Sequence, residues 1–268
     1  MKNYIFTDLA CECGGDGEIR REYIFEGIQR QRSFKAEGER RWHYVTFFTP
    51  ALWGLEPEKY DALKQAISEE LRLFISEELL NKKDLSILAV GLGNPRLTPD
   101  SLGAQTVEKL RVTSPDKGSG RRLMAVCTDV SGNTGIQTVD AVRAYVDMIK
   151  PDAIIAVDSL RAREYGRLAS TVQLSDRGIA PGSGVGISRA VLSCDTLGIP
   201  VVAIGVPTVI SAATLVCDAV EMCGGNIDDR ALERMIGRGI DPFVMPKEAD
   251  VLVKSAAYLL SDAINCIL

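Results

Sequence analysis

Leu85-Ser86-Ile87-Leu88-Ala89-Val90 is a nearly continuous apolar run closed by Gly91, the pattern of a strand covered on both faces. Ahead of it, over 57–83, Tyr60, Leu63, Ile67, Leu71, Phe74, Ile75 and Leu79 recur at spacings of three and four, with Pro57 suited to a first helical turn. This predicts a long amphipathic helix. Beyond Gly91 the strand pattern returns at Leu123–Cys127, Ala153–Val157 and Val201–Val206, with helical stretches predicted at 99–112, 137–149 and 208–223. Such alternation predicts right-handed βαβ crossovers and a single α/β domain: three layers, a mostly parallel sheet flanked by helices. The apolar segment 251–267 reads as a buried terminal helix or one packed at a subunit contact. Residues 11–40 are charged, contain glycine and show no sustained periodicity, so an irregular lead-in is expected, with order beginning near Arg41.

The chain has 268 residues, 46% of them hydrophobic, enough for one large core. A net charge of -5 supplies no basic field to draw it onto nucleic acid. MKNYIFTDLACECGG lacks the apolar stretch of a secretory signal, and no run reaches membrane-span length, so a cytoplasmic protein with no membrane partner is expected. The seven cysteines form neither a disulfide framework nor a CxxC pair. Cys11 and Cys13 make a CxC, but no second pair or nearby histidine completes a tetrahedral metal set. The single histidine, His43, lies in the strand-like Trp42-His43-Tyr44-Val45-Thr46 without an evident catalytic companion. No metal or other cofactor is expected.

In open parallel sheets ligands bind beyond the carboxyl ends of the strands, which directs attention to three loops. In the first, Gly91-Leu92-Gly93-Asn94-Pro95-Arg96-Leu97-Thr98-Pro99-Asp100, Thr98 and Pro99 read as a helix cap and first helical residue, and Asp100 falls in the first turn. Complementing the helix dipole is the ordinary use of such an acid and, on position alone, stands ahead of catalysis. Arg96 occupies the third site of an otherwise suggestive glycine fingerprint, which argues against a dinucleotide. In the second loop, Asp158 is the first polar residue after Ile154-Ile155-Ala156-Val157 and is expected to face the crevice or to cap the next turn of chain. The third, Ser175-Asp176-Arg177-Gly178-Ile179-Ala180-Pro181-Gly182-Ser183-Gly184-Val185-Gly186, is rich in glycine and able to present backbone amides to a carbonyl or anion. Two carboxylates on neighbouring strands are able to share a proton, one activating water and the other protonating a leaving group. Ser183 and Cys127 lack a GxSxG elbow or a neighbouring histidine, which disfavours a nucleophilic mechanism.

Taken in order, Thr7-Asp8-Leu9-Ala10, Gly91-Leu92-Gly93-Asn94, Thr98-Pro99-Asp100-Ser101-Leu102-Gly103, Thr134-Gly135-Ile136, Val157-Asp158-Ser159-Leu160 with Ala162-Arg163, Ser175-Asp176-Arg177-Gly178-Ile179, Pro181-Gly182-Ser183-Gly184-Val185-Gly186 and Gly198–Val209 resemble the germination protease family of spore-forming bacteria. The resemblance covers most of the chain. It implies a fold similar to the hydrogenase maturation peptidases (phosphorylase/hydrolase-like) and an atypical aspartic endopeptidase whose two essential aspartates fall on Asp100 and Asp158. The implied substrates are small acid-soluble spore proteins, degraded during germination in the spore core. It further implies a homotetramer made as a zymogen, processed between Phe6 and Thr7, leaving 1–6 as propeptide and 7–268 as one peptidase domain. Gly182, Ser183, Gly184 and Arg163 become candidate substrate or oxyanion contacts. Gln137 stands where the family usually carries an acid, and Cys127-Thr128-Asp129-Val130 replaces a more apolar stretch, changes that bear on substrate range. Two alternatives stay open: a metal-dependent maturation-type peptidase built on Asp100, Asp158 and Asp176, and a non-catalytic sporulation protein that binds a partner.

Overall fold

The central apolar run forms strand β4 (Ser86–Gly91), every residue of which is buried. In the computed structural model, which describes residues 7–13, 19–113, 120–180, 191–228, 230 and 242–267, β4 lies between β5 (Arg122–Cys127) and β6 (Ala153–Ala162), parallel to both. β8 (Val201–Ser211) continues the parallel half beside β6. The other half is antiparallel: β7 (Thr171–Ser175) pairs with β8, β3 (Arg40–Phe48) with β7, β2 (Ile28–Glu37) with β3, and β1 (Arg20–Phe25) with β2. The order is β1-β2-β3-β7-β8-β6-β4-β5, with the short β9 (Phe243–Val244) on β8.

The α/β, three-layer expectation therefore holds, but the sheet is mixed, and order does not begin at Arg41. Residues 20–37, expected to be irregular, form a β-ribbon whose hairpin turns carry Gly27 at φ +77° and Gly38 at φ +63°. Its helix-facing side is polar because Arg30 and Arg32 there meet Glu70 of α1 (Pro57–Ile75), so no apolar alternation announces it. The predicted helix over 57–83 ends at Ile75. Ser76, at φ +76°, breaks the path and accepts a hydrogen bond from the Leu79 amide at the start of α2 (Glu77–Leu80).

One face of the sheet packs on α1, α3 (Leu102–Val107) and α8 (Ala249–Asn265): Leu63, Ile67 and Leu71 of α1 and Leu252, Ala256 and Leu260 of α8 meet Ile87, Ala89, Ile155, Val172 and Val202. The apolar C-terminal segment is thus an internal helix. On the opposite face, Val139, Val142 and Val146 of α5 (Thr138–Ile149) cover Leu88, Val90, Ile154 and Ala156. The short α4 (Ser131–Thr134) and α6 (Cys194–Leu197), and α7 (Ala212–Met222), complete the described helices. The 208–223 prediction splits, because β8 runs on to Ser211 before α7 begins. Among the described residues no helix is long and apolar enough to cross a membrane.

Candidate functional site

Chain order reverses direction around β4: the crossover through α3 leads outward to β5, whereas β6 returns on the other side of β4. The two crossover helices lie on opposite faces, which opens a crevice between β4 and β6 at their carboxyl ends, the usual ligand position in such sheets. Both candidate aspartates stand there, lining a cavity of about 790 Å³.

Asp100 enters from the loop after β4. The loop makes a helical turn at Thr98–Asp100 and starts α3 only at Leu102, with Leu97 rather than Thr98 in the capping position. The carboxylate does not serve the helix end: its Oδ2 accepts the Asn94 amide at 2.7 Å, back across the loop. The loop is held from below by the buried Thr208 hydroxyl, which donates to Pro99 O at 2.6 Å, and by the Leu92 amide on Val157 O at 2.8 Å. Gly93, at φ +96°, allows the tight return, since a Cβ there would lie 2.2 Å from Asp100 O.

Asp158 does not follow a strand end, as its position after Val157 suggests; it lies inside β6. β4 stops opposite Val157, but β6 continues beside β8, pairing Asp158 with Gly205 and Ala162 with Ile210. Asp158 is the first residue past the β4 partner, which places it at the crevice. Gly205 permits close approach of the strands, as a Cβ there would lie 2.6 Å from Asp158 O. The Asp158 side chain is buried, and its Oδ1 accepts the Ser159 amide at 2.8 Å.

The two acids differ in environment. Burial pushes the Asp158 carboxyl well above the usual carboxylate range, and the charges of Asp100 and Asp8 push the same way against the Ser159 hydrogen bond. Asp100 is only partly buried; desolvation raises it, the Asn94 amide opposes this, and Asp129 adds a smaller upward push. A proton shared by the pair therefore favours Asp158. The arrangement suits general acid–base chemistry, with two carboxyls whose environments set their hold on a proton apart.

The other predicted contacts divide. Gly182, Ser183 and Gly184 lie outside the described residues; at the base of their loop, Ile179 and Leu192 exchange backbone hydrogen bonds of 3.0 and 2.7 Å beside the cavity. Arg163 does not line the cavity: its amide donates to Glu12 and its guanidinium reaches Asp218 at 3.4 Å. Phe6 is outside the described residues, whereas Thr7 lines the cavity. His43 sits in β3 as expected, and its Nδ1 lies 2.9 Å from Asp176 Oδ2, so Asp176 is engaged there rather than with Asp100 and Asp158. Burial pushes the Cys11 thiol up to about 11, which disfavours a thiolate clip at the CxC. Among the described residues no group of three or more His, Cys, Asp or Glu side chains is set to hold a metal ion. Asp8 and Arg161 also line the cavity, though strand-end reasoning does not reach them. The Thr7-Asp8-Leu9-Ala10 block is the visible signal for Asp8, and it doubles as the expected processing mark.

Fold and site together define an α/β protein with two carboxyl side chains, Asp100 and Asp158, at a sheet switch point. The family model for germination protease matches residues 26–233. Among similar proteins, a germination protease of Caldanaerobacter subterraneus is 35% identical over 305 aligned positions, spanning 97% of this chain and 93% of that protein. Those of Clostridium acetobutylicum (36% over 253, spanning 83% and 77%) and Bacillus subtilis (42% over 192, spanning 69% and 52%) are similar as well. The chain belongs to the germination protease family.

Proposed function

We propose that this chain is an endopeptidase of atypical aspartic type that begins degradation of small acid-soluble spore proteins during germination, in the spore core. The observation that carries the chemistry is the unequal pair in one cavity: Asp158, whose burial pushes its carboxyl well above the usual carboxylate range, and the more exposed Asp100. Asp100 takes a proton from water as the water oxygen bonds to the scissile carbonyl carbon. Asp158 gives its proton to the departing nitrogen as the C–N bond breaks. One proton enters the pair and one leaves, so only the return of the proton from Asp100 to Asp158 is needed to reset it. The antiparallel half of the sheet walls the cavity with Tyr44 and Ser175, polar groups suited to a peptide backbone. Residues 1–6 act as a propeptide removed before Thr7, 7–268 form the peptidase domain, and the working form is a homotetramer; the family resemblance supports these points.

Single Asp100→Asn and Asp158→Asn variants, checked for native circular dichroism, test the mechanism. Each is expected to lose about 10²–10⁴-fold in cleavage of a small spore protein by protein lacking residues 1–6. Full activity in either variant removes the pair from the mechanism. Absence of discrete fragments from wild-type chains both with and without residues 1–6 would instead favour a binding protein.

A further inference from the structure

β6 and β8 run in step as far as Leu160 and Pro207, after which Arg161 faces Val209. Thr208 is the residue left over, the extra member of a β-bulge. Pro207 just before it has no amide to give a ladder, which suits it to such a site. A bulge re-aims its side chain, and here the hydroxyl of the fully buried Thr208 donates to Pro99 O at 2.6 Å. The sheet order puts β6 between β8 and β4. The bond therefore reaches past the strand that carries Asp158 to hold the loop that carries Asp100. Pro99 O and the Asp100 nitrogen share one planar peptide, which also contains Asp100 Cα, so fixing the oxygen fixes the plane from which the Asp100 side chain departs.

The hydrogen bonds inside the turn are local. The Leu97 amide donates to Asn94 O at 3.1 Å, the Asp100 amide to Leu97 O at 2.8 Å and the Asn94 amide to Asp100 Oδ2 at 2.7 Å. They set the shape of the turn without fixing where it stands against the sheet. The start of the loop is held by the Leu92 amide on Val157 O at 2.8 Å, and its end by α3, where Gly103 lies close against the same carbonyl. Between these ends, among the described residues, the hydrogen bond that ties 93–100 to the sheet is that of the Thr208 hydroxyl. Resting on the acid–base reading of Asp100 and Asp158, we infer that Thr208 is a positioning residue of the peptidase site: its hydroxyl holds the Asp100 turn at the spacing from Asp158 at which the pair works. Both acids are thereby referenced to one strand, since β8 pairs with Asp158 through Gly205 and holds the Asp100 turn through Thr208. Valine would fill nearly the same space; the donor is what only the hydroxyl supplies.

The test compares Thr208→Val, which keeps the branched shape and removes the donor, with Thr208→Ser, which keeps the donor and removes a methyl. Thr106→Val is the control, because the buried Thr106 hydroxyl donates to Leu102 O at 2.8 Å within α3 and not to the Asp100 turn. Two readouts are used: kcat and KM for cleavage of a small spore protein, and hydrogen exchange of the Asn94 and Asp100 amides in the resting full-length chain. Thr208→Val is expected to lower kcat about 10–100-fold while KM moves less than about twofold, and to speed exchange of both amides about tenfold. Thr208→Ser is expected to keep kcat within about threefold of wild type despite its lost packing, and Thr106→Val to leave kcat and both exchange rates in place. Wild-type kcat in Thr208→Val, a Thr208→Ser protein as slow as Thr208→Val, or an equal loss in Thr106→Val overturns the inference. Should Thr208→Val fail to fold, Thr208→Ala supplies the same comparison. If Asp100→Asn proves fully active, the acid–base reading fails by itself, while the exchange rates still show whether Thr208 holds the turn.

Discussion

Replacing Gly93 by alanine tests whether the carboxylate pair depends on the geometry of the loop after β4. Gly93 sits at φ +96°, and a Cβ there would meet Asp100 O at 2.2 Å, Asp100 Oδ1 at 2.8 Å and Asp100 Cγ at 3.1 Å. Ordinary contact needs about 3.4 Å or more, so the turn carrying Asp100 has to retreat by roughly 1 Å. Backbone strain costs about 1–2 kcal/mol and overpacking about 1–3 kcal/mol, giving a loss of about 2–5 kcal/mol in unfolding free energy. Displacement of a reacting group by this distance is expected to lower kcat about 100-fold beyond any fraction unfolded. Gly38→Ala is the control: its φ of +63° imposes the backbone strain alone, in the β2–β3 turn, where a Cβ meets nothing within 4 Å. Urea unfolding and steady-state cleavage are measured on both. A Gly93→Ala protein that unfolds like Gly38→Ala and cleaves at the wild-type rate refutes the argument.

The buried charges bear on stability in two places. Burial raises the folded-state pKa of Asp158 above its unfolded value, so the folded chain holds the proton more strongly and wild type loses stability as pH rises from about 4 toward that raised value. Asp158→Asn lacks this penalty and is expected to gain on wild type by up to about 1.4 kcal/mol per pH unit in that window; urea midpoints at about pH 4, 6 and 8 that differ by a constant amount contradict it. Glu70 of α1 is buried and accepts Arg30 at 2.8 Å as well as Arg32, fastening the β1–β2 ribbon to the helix layer. Glu70→Ala leaves the largely buried Arg30 with Glu22 as its remaining carboxylate partner among the described residues and is expected to cost about 1–2 kcal/mol, less than a fully buried pair because Glu22 stays in place and Arg32 is partly exposed; a loss under about 0.5 kcal/mol in urea unfolding counts against it.

The parallel half of the fold is legible in the sequence because its central stretches, β4 and the start of β6, are covered on both faces and so are almost wholly apolar. β4 and the first five residues of β6 read directly as strands for that reason. β1 and β2 are not legible: Arg30 and Arg32 are met by Glu22 across the ribbon and by Glu70 in α1, so this face carries charge where apolar residues would mark a strand, and the distant Glu70 leaves no local pattern. The hairpin glycines Gly27 and Gly38 are the available signal, a weak one because the intervening residues lack an apolar face. The helix over 57–83 is overextended because its apolar spacing continues past Ser76, whose left-handed backbone interrupts the path without interrupting the pattern.

Both aspartates are found by a rule about strand ends that is only half met. Asp100 does follow β4, but Asp158 belongs to a strand that carries on for four more residues. What places it in the crevice is the mismatch in strand length: β4 has six residues and β6 ten, so the last part of β6 lacks a parallel neighbour while β8 still supports it. An acid in a fully flanked strand would be buried without access, and one in a free loop would be solvated and ordinary. At the first position past the shorter neighbour Asp158 has a desolvated side chain and a route to the cavity, two conditions that the proposed proton donor requires. The same mismatch leaves the Arg161 and Arg163 amides in need of acceptors, which ties the N-terminal segment to β6 and brings Asp8 to the cavity that Asp100 and Asp158 line.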